Sequence, residues 1–396
     1  MHLEFSAADE EFRQELRTFL ATHAPPEARL DRDWIGGDDD VDADGTMVIP
    51  DWARTWQATL FDHGWMIPSY PPELGGRNCS ALQTLIFLEE LAGHGIPRSV
   101  HFGGYAIVGP SLLEFGNDTQ RAMAPAAIRG DTVWCVGMSE PNAGSDLANL
   151  STRAVLDGDS FVVNGQKVWT SYAMVASKCF CYVRTDTTVA KHKGISVLIV
   201  DLDTPGIEVR PLKSLSGRAE FAEVFFTDVI VPASNLVGEL NGGWRITMGS
   251  LAHERGGLWV DGVAAAQKAV ADLVQLAKRL GLGDDPVVRR RLASAYAEAQ
   301  ALRALGYKGF ASFAQGSSAP EHSFMKYATS ELRQSLYDFG MELQGAGAAV
   351  MDSDIAEDNG RWQRSWMTGL ASSIGGGTSE IQRNIVAGRV LGLPKA

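Results

Sequence analysis

Val136-Gly137-Met138-Ser139-Glu140-Pro141-Asn142-Ala143-Gly144-Ser145-Asp146 marks the point where the chain changes period. Before it, apolar residues return every three or four positions, and after it they alternate, so a β unit is set between helical ones. Small and hydroxyl-bearing residues at a strand-to-loop passage can lay backbone N–H groups and Ser hydroxyls along the edge of a planar, hydrogen-bonding ring. One stretch thus decides the architecture and offers the first candidate ligand contact.

Downstream, the middle unit is read as residues 131–236. Phe161-Val162-Val163-Asn164-Gly165-Gln166-Lys167-Val168-Trp169 predicts a hairpin turning at Asn164-Gly165, because that pair accepts the positive φ angles of a type I′ turn. Further strands are predicted at 180–183, 195–200, 207–210, 224–226 and 229–231. Cys179 and Cys181 lie two apart in a strand pattern, on one face, where a buried apolar role is expected rather than a metal site. Cys79 and Cys135 add no disulfide framework. Trp169, read alone, is a core tryptophan.

Upstream, residues 1–130 read as helices. Phe5, Phe12, Leu16, Phe19 and Leu20 recur at helical spacing until Pro25-Pro26 stops the run. The acidic loop Gly36-Gly37-Asp38-Asp39-Asp40 lacks the ligand order of a calcium loop and reads as a solvated insertion. Helical spacing returns in residues 237–396: Val263, Ala266, Val270, Leu273, Ala277 and Leu280, then Ala328, Leu332, Leu336, Phe339 and Leu343. Asp284-Asp285-Pro286 is a cap followed by a proline at the first helical position. Long antiparallel helices of this kind make a bundle.

The bulk numbers bound the function. The chain has 396 residues and a net charge of −13, with Arg289-Arg290-Arg291 as its basic run, which argues against nucleic acid and against an anionic membrane surface. No apolar run reaches spanning length and the N-terminus has no apolar signal core, so a cytoplasmic protein without membrane insertion is expected.

A second marked stretch lies near the end: Ile374-Gly375-Gly376-Gly377-Thr378-Ser379-Glu380-Ile381-Gln382-Arg383. Glycines let the backbone take positive φ and approach a ligand, and Thr378 caps the helix that Ser379 begins. This stretch, the 136–146 passage, and the Gly64-Trp65 to Gly75-Gly76 segment together resemble the acyl-CoA dehydrogenases over nearly the whole chain. The resemblance implies the fold: an α+β multidomain chain with an N-terminal α-helical domain, a middle β-barrel or sandwich domain and a C-terminal four-helix bundle. In that family a Glu-Glu pair like Glu89-Glu90 follows on a helix, where a packing role is expected.

The same resemblance implies FAD as cofactor. Val136, Met138, Ser139, Gly144 and Ser145 would contact the flavin, with Ser145 also touching the acyl-CoA. Trp169 and Ser171 would lie against the flavin, and Thr378 and Glu380 would add contacts from the C-terminal loop. Arg279 and Leu282, matching an Arg-x-x-Phe-Gly pattern, and Gln344 would reach the FAD of a neighbouring subunit, which implies a homotetramer built as a dimer of dimers. Ala348 and Val350 depart from the family's glycines after that Gln.

The largest departure is at Gly376, where most relatives carry the catalytic glutamate. A minority of the family carries it at the position of Glu254, in His253-Glu254-Arg255, with Arg255 near the acyl-CoA pocket. Glu254 is therefore the expected base, taking the α-proton of an acyl-CoA while the β-hydride leaves to flavin N5; the Gly376 backbone N–H is expected to hold the thioester carbonyl. Electrons would pass to an electron-transfer flavoprotein, and the product is the 2,3-enoyl-CoA. No metal is expected. Two other readings stay open: an offshoot with oxidase or monooxygenase chemistry, and a non-catalytic FAD- or CoA-binding partner subunit of a hetero-oligomer.

Overall fold

The computed structural model describes residues 5–29, 41–99, 101–255, 258–314 and 321–394, without the side chains of 29, 251–255, 258, 312–314 and 321–323. The acidic loop at Gly36–Asp40 lies outside the described residues, as do the side chains of His253, Glu254 and Arg255.

Six helices precede the sheet: α1 (Ala7–His23), α2 (Asp51–Asp62), α3 (Ala81–His94), α4 (Gly109–Phe115), α5 (Asp118–Arg121) and α6 (Ala124–Arg129). The Ser6 hydroxyl accepts from the Asp9 N–H while Asp9 accepts from the Ser6 N–H, a reciprocal cap that fixes where α1 starts. Its predicted stripe of Phe12, Leu16, Phe19 and Leu20 is buried. On α3, Glu90 is buried and accepts from Arg13 at 2.9 Å and Arg17 at 2.8 Å, so it fastens α1 to α3.

Strands β1 (Trp134–Gly137), β2 (Arg153–Asp157), β3 (Ser160–Ser171), β4 (Lys178–Arg184), β5 (Ile195–Asp201), β6 (Ile207–Leu212), β7 (Phe221–Pro232) and β8 (Leu236–Val237) run in the order β6-β7-β3-β2-β4-β5-β8, with β1 parallel to β4. A single pair, Arg153 with Arg184, joins β2 to β4. The two halves fold over each other: Phe161, Val163, Val224 and Val229 from one meet Cys135, Cys179, Cys181, Leu198 and Val200 from the other in one core. Alternate residues of β4 and β5, including Phe180, Tyr182, Val197 and Ile199, face a second core shared with α4 and α6. Strands buried on both faces need the near-continuous apolar runs seen here.

The hairpin expected at Asn164-Gly165 is not there. β3 runs straight through it, and the turn is at Gly158, with Asp157 paired to Ser160. Asn164-Gly165 forms a bulge against β7 instead: the register slips between Val163 and Gly165, and Asn164 and Asp228 exchange two hydrogen bonds of 2.9 Å. Gly165 has φ +151°, and a Cβ there would stand 2.6 Å from Thr152. Positive-φ chemistry was correctly read, but a bulge uses it as well as a turn does. The strands predicted at 224–226 and 229–231 are likewise one, β7.

After the sheet come α7 (Gly243–Arg255), α8 (Leu258–Arg279), α9 (Pro286–Ala314), α10 (Glu321–Gln344), α11 (Arg361–Gly369) and α12 (Ser379–Ile385). Asp285 caps α9, accepting from the N–H groups of Val287 and Val288. Helices α8, α9 and α10 do not keep a core of their own. Phe12, Leu16, Trp56 and Phe87 from the N-terminal helices join Trp259, Val263, Leu273, Leu332 and Trp362 in one cluster. Two helical segments separated by a whole β unit therefore form one packed body.

Candidate functional site

The loop after β1 is held from beneath by a buried ion pair. Lys167, on β3, is fully buried and donates to Glu140 at 2.8 Å and to the Met138 carbonyl at 3.2 Å. Glu140 also accepts from the Ser151 N–H and hydroxyl and from the Thr152 N–H. Burial alone would raise the Glu140 carboxyl; the Lys167 ammonium and these donors outweigh it and bring it down to about 2. The Val168 N–H donates to the Ser139 carbonyl, a second tie to β3. Val136 and Met138 pack partly against the helix-side core, whereas Gly144 and Ser145 are exposed, with open space where a Gly144 side chain would project.

Trp169 differs from a core tryptophan: it is 58% exposed. A second slip in the β3–β7 register, between Lys167 and Thr170, puts Trp169 at φ +59° and turns its ring outward, edge-on to Phe221 at 5.9 Å. Beside it the Thr170 hydroxyl is buried without a hydrogen-bond partner. Ser171 ends the strand, half-buried, and Tyr172 packs edge-on against His101 at 4.8 Å. His101 is buried and bonded to the Trp134 carbonyl; burial pushes its imidazole down to about 4, so it is neutral at pH 7. Lys167 and Val168 thus tie the 138–140 passage to the strand that carries 169–171.

The C-terminal loop is built for its conformation. Gly376 and Gly377 have φ +65° and +96°, which L side chains rarely adopt. Lys326 of α10 donates to the Ser372 and Gly377 carbonyls at 2.9 and 2.7 Å, and Gln382 donates to the Gly376 carbonyl at 3.3 Å. Thr378 caps α12 as predicted, accepting from the Ile381 N–H. Ser379 is tied to Glu331 of α10 at 2.6 Å. Glu380 is exposed, its carboxyl held below the usual range by its own backbone N–H and then by the Thr378 hydroxyl. The loop holds no carboxylate at 375–377, and Gly376 is exposed.

Glu254 and Arg255 occupy the last turn of α7. The helix is anchored one turn earlier, where the Ser250 hydroxyl pairs with Ser111 at 2.8 Å and Tyr182 at 3.2 Å. Arg279, at the end of α8, is paired within its own chain to Asp358 at 2.8 Å and Glu357 at 3.4 Å. Leu282 packs against the helical core, and Gln344 bonds Gly340 and Gln363. Sequence reasoning did not find the Glu140–Lys167 pair; its signal is a lysine at an inward position of an otherwise apolar strand. Among the described residues no cluster of three or more His, Cys, Asp or Glu side chains is placed to hold a metal.

On the β unit, an outward indole, a buried hydroxyl without a partner among the described residues and an open loop at Gly144 suit a flat, polar, multi-ring ligand. FAD fits that donor set.

Comparison with known proteins agrees. Models of the N-terminal, middle and C-terminal domains of acyl-CoA dehydrogenases match residues 6–131, 135–229 and 241–391. The acyl-CoA dehydrogenase IpdE1 of Mycolicibacterium smegmatis is 38% identical over 353 residues, covering 86% of this chain and 88% of that one. A solved structure described as the Tcur3481-Tcur3483 steroid ACAD superposes with a TM-score of 0.85 at 32% identity, covering all of both chains. The ChsE4-ChsE5 complex from Mycobacterium tuberculosis gives 0.82 at 35% identity, again over all of both chains.

Proposed function

Because the chain belongs to the acyl-CoA dehydrogenase family and is an oxidoreductase of that class, we propose that it desaturates a bulky acyl-CoA at the 2,3 position with Glu254 as the base. The observation that carries this reading is the pairing of an intact, positive-φ glycine loop without a carboxylate at 375–377 with a glutamate on the last turn of α7.

FAD, when bound, supplies the hydride acceptor for the β-hydrogen. Val136, Met138, Ser139, Gly144, Ser145, Trp169, Ser171, Thr378 and Glu380 are the residues that would hold it, and the unpartnered Thr170 hydroxyl is a further candidate. Glu254 accepts the α-proton, and desolvation around an acyl group would raise its carboxyl toward neutrality and strengthen it as a base. Negative charge then grows on the thioester oxygen, where the Gly376 N–H donates. Arg255 and Ser145 would position the CoA thioester.

The relatives described as steroid ACADs favour a polycyclic acyl group over a straight chain. Two-chain descriptions among them favour a hetero-oligomer over the homotetramer that the sequence suggests, with Arg279 and Gln344 released from their in-chain partners to reach a neighbour's FAD. An electron-transfer flavoprotein is the proposed acceptor.

Anaerobic mixing of the protein with straight-chain and steroid-derived acyl-CoAs, followed by flavin absorbance, tests the reading. Bleaching by the wild type should slow by about 10³-fold or more in Glu254→Gln. Bleaching that survives the substitution removes Glu254 as the base.

A further inference from the structure

The ends of α1 and α2 meet through two histidines that the proposed dehydrogenation does not use. His23 is the last residue of α1, and His63 caps the C-terminus of α2. Both are exposed, and their ring centres are 4.9 Å apart. Phe19 lies against both, its ring centre 4.6 Å from that of His23 and 5.3 Å from that of His63. His23 also lines an open groove of about 490 Å³ along α1, so solvent reaches the pair.

Each ring has its tautomer fixed. His23 Nδ1 bonds the Phe19 carbonyl at 3.1 Å, and His63 Nδ1 bonds the Thr59 carbonyl at 2.9 Å. A carbonyl only accepts, so in the neutral ring Nδ1 carries the proton and Nε2 keeps its lone pair. Neither Nε2 has a hydrogen-bond partner among the described residues. Metal-ligating histidines are oriented in this way, the second nitrogen donating to a backbone carbonyl. The spacing fits as well: a tetrahedral zinc ion held about 2.0–2.1 Å from both Nε2 atoms would set the ring centres roughly 5 Å apart. The negative ends of two helix dipoles converge here and favour a cation, whereas two imidazolium rings this close would repel each other. One ion shared by two neutral rings meets both conditions.

The back-bond alone does not make a site. His94 ends α3 with the same bond, Nδ1 to the Glu90 carbonyl at 2.7 Å. Its neighbour is the Glu90 carboxylate at 3.8 Å, already held by Arg13 and Arg17, and not a second imidazole.

We propose that His23 and His63 bind one divalent transition-metal ion of the zinc type through their Nε2 atoms, clipping the end of α1 to the end of α2. Among the described residues no third His, Cys, Asp or Glu side chain joins them, so water completes the coordination. Imidazole ligands suit zinc, copper and nickel, whereas magnesium and calcium take oxygen ligands. The site is independent of the dehydrogenation, because none of the residues proposed to hold FAD or the thioester lies on α1 or α2.

The test titrates the full-length protein, stripped of metal by a chelator, with zinc and in parallel with magnesium, following heat release. The wild type should take up one zinc ion per chain that the double variant His23→Gln/His63→Gln does not, and magnesium should give no such uptake. Either single variant should bind zinc about 10-fold more weakly or worse, because a lone imidazole loses the second ligand's effective concentration. The double variant should be no weaker than either single one by more than about 3-fold, and His94→Gln should match the wild type. Copper(II) bound at the same site should show two nitrogen ligands by electron paramagnetic resonance in the wild type and one in each single variant. Circular dichroism equal to that of the wild type shows that a loss in a variant is not unfolding. Zinc uptake no greater than in the double variant, uptake undiminished by either single substitution, or copper bound by one nitrogen in the wild type overturns the proposal.

Discussion

Two carboxylates sit in the packed interior of this protein, and they are treated in opposite ways. Glu140 is closed in by Lys167, two backbone N–H groups and a hydroxyl, with its side chain 3% exposed. At Asp261, in the first turn of α8, burial raises the carboxyl against the charge of Arg98, with no hydrogen bond among the described residues to hold it down. A saturated buried pair has no capacity left for a ligand, so its contribution is positional: it fixes Met138 and Ser139 against β3. An unsaturated one holds capacity in reserve, at a cost to the free protein. The difference separates a carboxylate that fixes the scaffold from one that does not, without reference to where either lies in the chain.

The largest effect should come from breaking the saturated pair. Lys167→Met leaves the Glu140 charge buried without its counter-ion and should cost about 3–5 kcal/mol in urea denaturation. It should also weaken FAD retention, since the loop it supports carries the flavin contacts proposed above. Adding Glu140→Leu should recover most of the stability, because a well-packed apolar pair avoids the desolvation that the ion pair must offset. A single Lys167→Met variant as stable as the wild type would mean that Glu140 finds other compensation.

Acid should reveal two successive losses, each on the order of 3 kcal/mol for shifts of this size. The unfolded His101 binds a proton from pH 6.5 downward, while the buried one resists until about 4. Its contribution is thus complete above pH 6.5 and is lost as the pH falls through 4. Unfolded Glu140 protonates from 4.5, and the folded carboxyl only near 2, so its contribution is complete above 4.5 and is lost as the pH falls through 2. Melting temperatures measured across pH 7 to 3 should decline from the first window onward. His101→Gln should flatten the part between 6.5 and 4 and leave the lower part; an unchanged curve would remove His101 from the account.

The same contrast explains what was legible in the sequence. Helical stripes such as Phe12, Leu16 and Phe19 were readable because burial on one face leaves a local period. The cap at Thr378 and the positive-φ glycines at 376–377 were readable because both requirements are local. Asn164-Gly165 was read as a turn because sequence reports the φ it allows, not whether β7 lies alongside to make a bulge. Trp169 looks like core by its type alone, and only the family resemblance puts it against a flavin; a register slip turns its ring outward. Lys167 and Glu140, 27 residues apart, were invisible because the pair is made by packing between distant segments. Glu254 was reached only through the missing carboxylate at Gly376.

The smallest effect is the one that bears most directly on the contrast. Asp261→Asn removes a desolvated charge that no hydrogen bond among the described residues satisfies, so stability should stay within about 0.5 kcal/mol of the wild type or rise. Arg98 keeps its place over Tyr105 in either case, because that contact needs no carboxylate. Stability near neutral marks a carboxylate that the fold does not rely on. A loss of 3 kcal/mol or more, the size expected when a buried pair is broken, would instead place Asp261 beside Glu140 as scaffold, and the distinction between the two carboxylates would collapse.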